Sequence, residues 1–87
     1  MTKLGIPAAT QKDDLKLIFG VGPLLEKTLK KLGIQSFRQI ANFTKADIAR
    51  AAAAIDTFPD RIERDDWKGG ARAEFKKKYG SKAKLRD

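Results

Sequence analysis

Residues 18–23 read Ile-Phe-Gly-Val-Gly-Pro, and this stretch decides the fold. Gly20 and Gly22 flank one apolar residue, Val21, in a tight turn that a side chain at either end would obstruct. Pro23 suits the first position of a helix, where its missing N–H would have had no partner anyway. An apolar-periodic run lies on each side, Asp13 to Phe19 and Leu24 to Leu32. The reading is helix, Gly-Val-Gly hairpin, helix. A helix that begins at Pro23 turns free N–H groups toward solvent, and such a start attracts anions, phosphate above all.

Helix one is expected from about Gln11 to Ile18, with Thr10 or Asp13 near its start and Leu15, Ile18 and Phe19 as its apolar stripe. Helix two spans Pro23 to Leu32. Leu25, Leu29 and Leu32 face inward, Glu26 and Lys30 pair one turn apart, and Gly33-Ile34 closes it. Ser36 can cap a short helix, Phe37 to Ala41, whose inward residues are Phe37, Ile40 and Ala41. Thr44 and Asp47 have the spacing of a capping box, with Asp in place of the usual Glu or Gln. They open an alanine-rich helix from Lys45 to about Ile55, with Ile48, Ala52 and Ile55 inward. Asp65 or Asp66 caps a last helix running to about Tyr79, with Trp67, Ala71, Phe75 and Tyr79 on one face. Gly69-Gly70 falls inside it and marks a weak or kinked turn, because each glycine costs about 1 kcal/mol relative to alanine. Gly80 ends it.

Two consecutive helix pairs suggest a duplicated unit. Where a second Gly-x-Gly would fall, the chain reads Asp56-Thr57-Phe58-Pro59-Asp60. No glycine clears room for a phosphate there, and Asp56 and Asp60 would repel one. The second unit reads as a structural brace. Residues 1–10 lack periodicity and read as a flexible arm, residues 11–79 as the domain, and residues 80–87 as a basic disordered tail.

Asp14 to Gly33 resembles the helix-hairpin-helix family, a DNA-binding module. Leu15 and Ile18 before the hairpin, Pro23 after it, Leu25 and Leu29 on the second helix and the closing Gly33-Ile34 carry the likeness. Ser36-Phe37-Arg38-Gln39-Ile40-Ala41 and Arg61 to Trp67 extend it. These are similar to a subgroup often found as an appended C-terminal domain of a bacterial large-subunit ribosomal protein or of the thioredoxin-like subunit of respiratory NADH dehydrogenase. The resemblance implies one backbone phosphate held on the amides of Gly20, Gly22 and Leu25. It also implies, in some members, a monovalent cation on carbonyls that here belong to Lys16, Ile18 and Val21. Two positions depart from the family. Leu24 stands where DNA-binding members usually carry Lys or Arg, and Glu26 stands where they usually carry a small Ala.

The whole chain sets bounds. Eighty-seven residues with neither Cys nor His allow one domain with a thin core, no disulfide, no thiolate metal site and no histidine base. No run approaches the roughly 20 apolar residues of a membrane span, and residues 1–12 lack the pattern of a secretion signal, so a cytoplasmic protein is expected. The net charge of +8 favours polyanionic partners. After Trp67 the bases Lys68, Arg72, Lys76, Lys77, Lys78, Lys82, Lys84 and Arg86 face only Glu74 and Asp87. Residues 56–66 run the other way, with Asp56, Asp60, Glu63, Asp65 and Asp66 against Arg61 and Arg64. That acidic cluster reads as helix caps and ion pairs rather than a cation site or an acid–base pair. Trp67 reads as core rather than as a stacking platform.

The expected fold class is all-α: five short helices in tandem helix-hairpin-helix-like units, the second degenerate, with a basic C-terminal helix. The expected function is sequence-independent, non-catalytic binding of nucleic acid, duplex DNA in particular, by a monomer without cofactor or metal. Gly20, Val21, Gly22, Leu24 and Leu25 form the phosphate site, and Lys16, Lys27, Lys30 and Lys31 reach flanking phosphates. The alternative is a protein–protein adapter that docks to a ribosome, a respiratory complex or another assembly. Leu24 and the degenerate second hairpin favour it.

Overall fold

A computed structural model describes residues 1–2 and 4–85; Lys3, Arg86 and Asp87 lie outside the described residues. The fold is all-α, with helices α1 (Pro23–Lys31), α2 (Phe37–Ala41), α3 (Lys45–Ala54), α4 (Pro59–Arg64) and α5 (Trp67–Tyr79).

The expected first helix over 11–18 is reduced to a single 3-10 turn, Leu15–Leu17. Tertiary partners take the backbone donors that an α-helix would use. The Asp13 amide donates to Gln35 O at 2.9 Å, and the Leu15 amide donates to the Glu26 carboxylate at 2.8 Å. Phe19 therefore leaves the inward stripe. Leu15 and Ile18 are buried, but Phe19 is 77% exposed.

Helix α1 begins at Gly22 and Pro23 as expected and ends in a Schellman arrangement. The Gly33 amide donates to Lys30 O and the Ile34 amide to Leu29 O, which seats Ile34 in the core. Helix α2 has only five residues and is held by its caps. Ser36 and Gln39 form a reciprocal capping box, and Gln39 Nε2 also donates to Gly33 O and Pro7 O, each at 2.9 Å. The Thr44–Asp47 box opens α3, and Arg50 ties to Asp47 at 2.5 Å.

Helix α4 falls inside the acidic segment 56–66, for which the sequence reading assigns no helix. Its signals were present: Pro59 at the first turn, Asp60 beside it, Arg61 and Arg64 in the last turn, and Ile62 facing the core. The turn before it mirrors the first hairpin. Asp56 has φ 57 and Phe58 caps α4 with φ −90, as Gly20 has φ 89 and Gly22 caps α1 with φ −93, and a proline follows each. The second unit keeps the hairpin backbone and loses its glycines.

Helix α5 runs unbroken through Gly69-Gly70, which correct the expected weak point. A Cβ on Gly69 would collide with the Asp66 carboxylate that caps the helix, and one on Gly70 would stand 3.3 Å from Ile18 Cγ2. The glycines let α5 lie against the segment that leads into the first hairpin. Helix α5 also packs on α2, and α3 packs on α4. Trp67, Phe37, Phe43, Leu15, Ile18, Leu29, Ile40 and Ile62 fill the shared core.

The ends differ from the expected free arm and tail. Ile6 is buried, the Thr2 amide donates to Ile6 O, and Pro7 O is held by Gln39. At the other end Ala83 and Leu85 pack on the core, and Leu85 O accepts from Arg38 Nε at 2.8 Å and Asn42 Nδ2 at 2.6 Å. The tail expected to be disordered, residues 80–87, thus docks as far as residue 85, and its last two residues lie outside the described ones.

Candidate functional site

The first hairpin is the site singled out by sequence. Gly20 adopts φ +89, a conformation side chains rarely enter, and a Cβ there would collide with the Asp65 carboxylate and stand 3.0 Å from Trp67 Nε1. Val21 is buried and its amide donates to Ile18 O at 3.1 Å. The Ile18 carbonyl, one of the three that the resemblance offers to a cation, therefore already accepts a hydrogen bond. Gly22 is exposed in extended backbone with open space around it, so its lack of a side chain is not a packing requirement.

Beyond Gly22 the first turn of α1 leaves backbone amides without partners inside the helix, including those of Leu24 and Leu25. Their side chains are apolar. Leu24 is 78% exposed and Leu25 half-buried. Lys16 lies near Asp14 at 3.9 Å and Lys30 near Glu26 at 3.7 Å, while Lys27 and Lys31 are exposed on α1. The four lysines are thus surface groups, two of them already beside a carboxylate. Glu26, the departure from the family's alanine, bridges α1 to the 3-10 turn through the Leu15 amide.

The surface around this turn is apolar in a way sequence reasoning did not foresee. Leu17, Phe19 and Leu24 are exposed on either side of the hairpin. Helical periodicity turns Phe19 inward, whereas the 3-10 turn over Leu15–Leu17 leaves both Leu17 and Phe19 in solvent. Phe58 is 80% exposed on the second hairpin, whereas Ile62 and Trp67 are buried. Beside Phe58 lies a cleft of about 260 Å³ lined by Thr57, Phe58, Arg61, Arg64 and Asp65. A larger cavity of about 430 Å³ lies between residues 6–10, α2 and Leu85.

Behind the hairpin, Asp13 anchors the scaffold. Its buried carboxylate accepts from the Phe37 amide at 2.8 Å, from Lys78 Nζ at 2.6 Å and from the Tyr79 hydroxyl. Burial pushes this carboxyl up, but the hydrogen bonds from Lys78, Tyr79 and Phe37 and the Lys78 charge outweigh it and hold it below the ordinary value. The bond to Asp13 in turn raises the Lys78 ammonium, and burial together with that bond raises the Tyr79 hydroxyl. One carboxylate thereby joins the entry to the hairpin, the start of α2 and the end of α5. Asp47 follows the same logic: burial raises it, and the Thr44 and Arg50 bonds bring it below the ordinary value.

Comparison with known proteins agrees with the resemblance. The RS2/RL21/YNQ2 HHH domain model matches residues 15–74. The large ribosomal subunit protein bL21 of Roseobacter denitrificans is 49% identical over 59 residues, 68% of this chain and 27% of that protein. The bL21 of Maricaulis maris is 36% identical over 67 residues, 77% of this chain and 30% of its own length. An uncharacterized 22.9 kDa protein in the nqo2 3' region of Paracoccus denitrificans is 38% identical over 71 residues, 76% of this chain and 33% of its own. The chain thus spans about a third or less of these relatives. No solved structure matches it.

These findings correct the expectation of duplex-DNA binding. The bL21 relatives are ribosomal proteins, and at the hairpin Leu24 is exposed where a cation would face a phosphate while the Asp65 carboxylate lies against Gly20. Matched along residues 15–74, the chain belongs to the RS2/RL21/YNQ2 helix-hairpin-helix (HHH) domain family.

Proposed function

We propose that this chain is a non-catalytic docking module that seats in a large ribonucleoprotein assembly, the ribosome or a particle like it, through the first hairpin. The observation that carries this reading is the exposure of Leu17, Phe19 and Leu24 around a turn held by the Val21–Ile18 bond and by Gly20 packed against Asp65 and Trp67. Apolar side chains on a preorganised turn fit an apolar recess of a protein partner and lose little entropy on binding. The bL21 names of the relatives support the assembly, and the net charge of +8 supports an RNA-rich surrounding that draws the domain in. The cytoplasm is the compartment this reading implies; among the described residues no helix is long and apolar enough to cross a membrane.

Sedimentation tests the reading. The purified chain is expected to pellet with isolated large ribosomal subunits and not with small ones. Leu24→Glu combined with Phe19→Ser should leave helicity intact and weaken pelleting by at least about tenfold, since two truncated anchors cost upward of about 1 kcal/mol each. Equal pelleting with both subunits, unaffected by the double variant, would reduce the association to bulk charge and end the proposal.

A further inference from the structure

The second hairpin carries a chemistry that the docking reading does not use. Phe58 caps α4 with its ring 80% exposed. Arg61 and Arg64 stand three residues apart, hence on one face of α4, and line the cleft of about 260 Å³ at Phe58. Among the described residues neither arginine joins an ion pair, although Asp60 and Glu63 share the helix. Asp56, Asp60 and Glu63 do not line the cleft, so α4 turns its bases toward it and its acids elsewhere. Thr57 and Asp65 form the remaining walls, and the Asp65 carboxylate lies against Gly20 of the first hairpin.

We propose that this cleft binds one unpaired RNA nucleotide, with the base stacked on Phe58 and the adjoining phosphate held by Arg61 and Arg64. The chemistry selects this ligand in three steps. Two unpaired guanidinium forks match a phosphate better than any neutral group. A bare aromatic ring beside them gains by covering its face with a base, and every base has a face to offer. The cleft has room for a single base and is closed on one side by Asp65, so a splayed-out nucleotide fits where a paired one does not. The proposal rests on the assembly reading only for the source of the RNA; its residues are separate from Leu17, Phe19 and Leu24.

Fluorescence anisotropy of the full chain with a labelled, mixed-sequence single-stranded RNA 10-mer, and with a duplex RNA of the same length, tests it. Phe58→Ala is expected to weaken the single strand roughly 5- to 100-fold and to leave the duplex and the melting temperature unchanged. Arg61→Ala with Arg64→Ala should flatten the single-strand salt slope by about 0.7 for each phosphate the arginines no longer neutralise. Leu24→Glu should leave RNA affinity intact, so failure of the hairpin reading and failure of this one are told apart. The proposal falls if Phe58→Ala leaves single-strand affinity unchanged, or if single strand and duplex weaken in parallel. It also falls if Phe58→Ala abolishes sedimentation with ribosomal subunits while RNA binding persists, which would make the cleft a protein-binding surface.

Discussion

The Asp13 carboxylate joins the entry to the first hairpin to α2 and α5. It holds the Phe37 amide, the Tyr79 hydroxyl and the Lys78 ammonium, and the Asp13 amide reaches Gln35. Asp13→Ala strands the buried Phe37 amide and releases the part-buried Tyr79 and the exposed Lys78, so denaturant titration should show a loss of about 1–3 kcal/mol. The carboxyl is held below its ordinary 3.8, so the folded chain binds fewer protons there than the unfolded one. The stability it contributes is complete above about pH 5 and is lost as pH falls through 3.8 toward the lower folded value. Asp47 adds a loss of the same sign. Thermal melts from about pH 6 down to about pH 2 should show this decline in the parent and a shallower one in Asp13→Asn. The hairpin glycines make a second contrast. Gly20→Ala forces a side chain into φ +89 and against Asp65, and should cost about 1–3 kcal/mol. Gly22→Ala meets nothing and should stay within about 0.5 kcal/mol. Equal losses at both positions would show that the hairpin conformation is not what Gly20 secures.

At the scale of elements, the caps were legible and the lengths were not. Ser36, Thr44, Asp66, Gly33 and Gly80 mark boundaries close to where the helices begin and end, because capping bonds span only three or four residues. The segment 11–18 has the spacing of a helix, but its amides bond to α1 and to residue 35. Helix α4 was hidden by the acids around it, although proline and paired arginines announced it. The tail is an element of this kind too: nothing in residues 80–87 shows a periodic stripe, yet Leu85 is docked by two side-chain donors. Truncation after Gly80 should therefore lower stability by about 1–2 kcal/mol, because it re-exposes apolar surface and removes the two bonds to Leu85. An unchanged thermal midpoint would show that the docked tail contributes nothing.

For the whole molecule, Trp67 decides whether the halves stay together. It is fully buried and its indole Nε1 lies 3.0 Å from where a Cβ on Gly20 would stand, so the start of α5 closes against the back of the first hairpin. Trp67→Ala should cost about 3–5 kcal/mol. For a chain of this size, with a total stability of about 5–10 kcal/mol, that leaves little folded protein at about 37 °C. Fluorescence checks the premise first: the lone tryptophan should emit in the blue and resist iodide, and a red, quenchable emission would place it outside the core. The same tertiary closure sets the surface. Phe19 and Phe58 look like core residues by composition, and both stand in water because the helices that would have turned them inward end before them or begin after them. The candidate site therefore had two parts of different legibility. The hairpin's place in the chain followed from Gly20, Gly22 and Pro23, whose backbone demands are local. Its apolar surround did not, since exposure depends on how distant segments pack.

What the sequence by itself determined was the class and punctuation of the fold. Glycines, prolines, caps and apolar spacing act within a few residues, so all-α architecture, the first hairpin and the buried Trp67 could be read without coordinates. What only the tertiary structure decided was which potential helices form and which faces meet solvent. Bonds such as Asp13 to Phe37 and Lys78, or Arg38 and Asn42 to Leu85, join residues 24 to 65 positions apart. Their energy is released only once the chain has already closed on itself, and no local pattern encodes it.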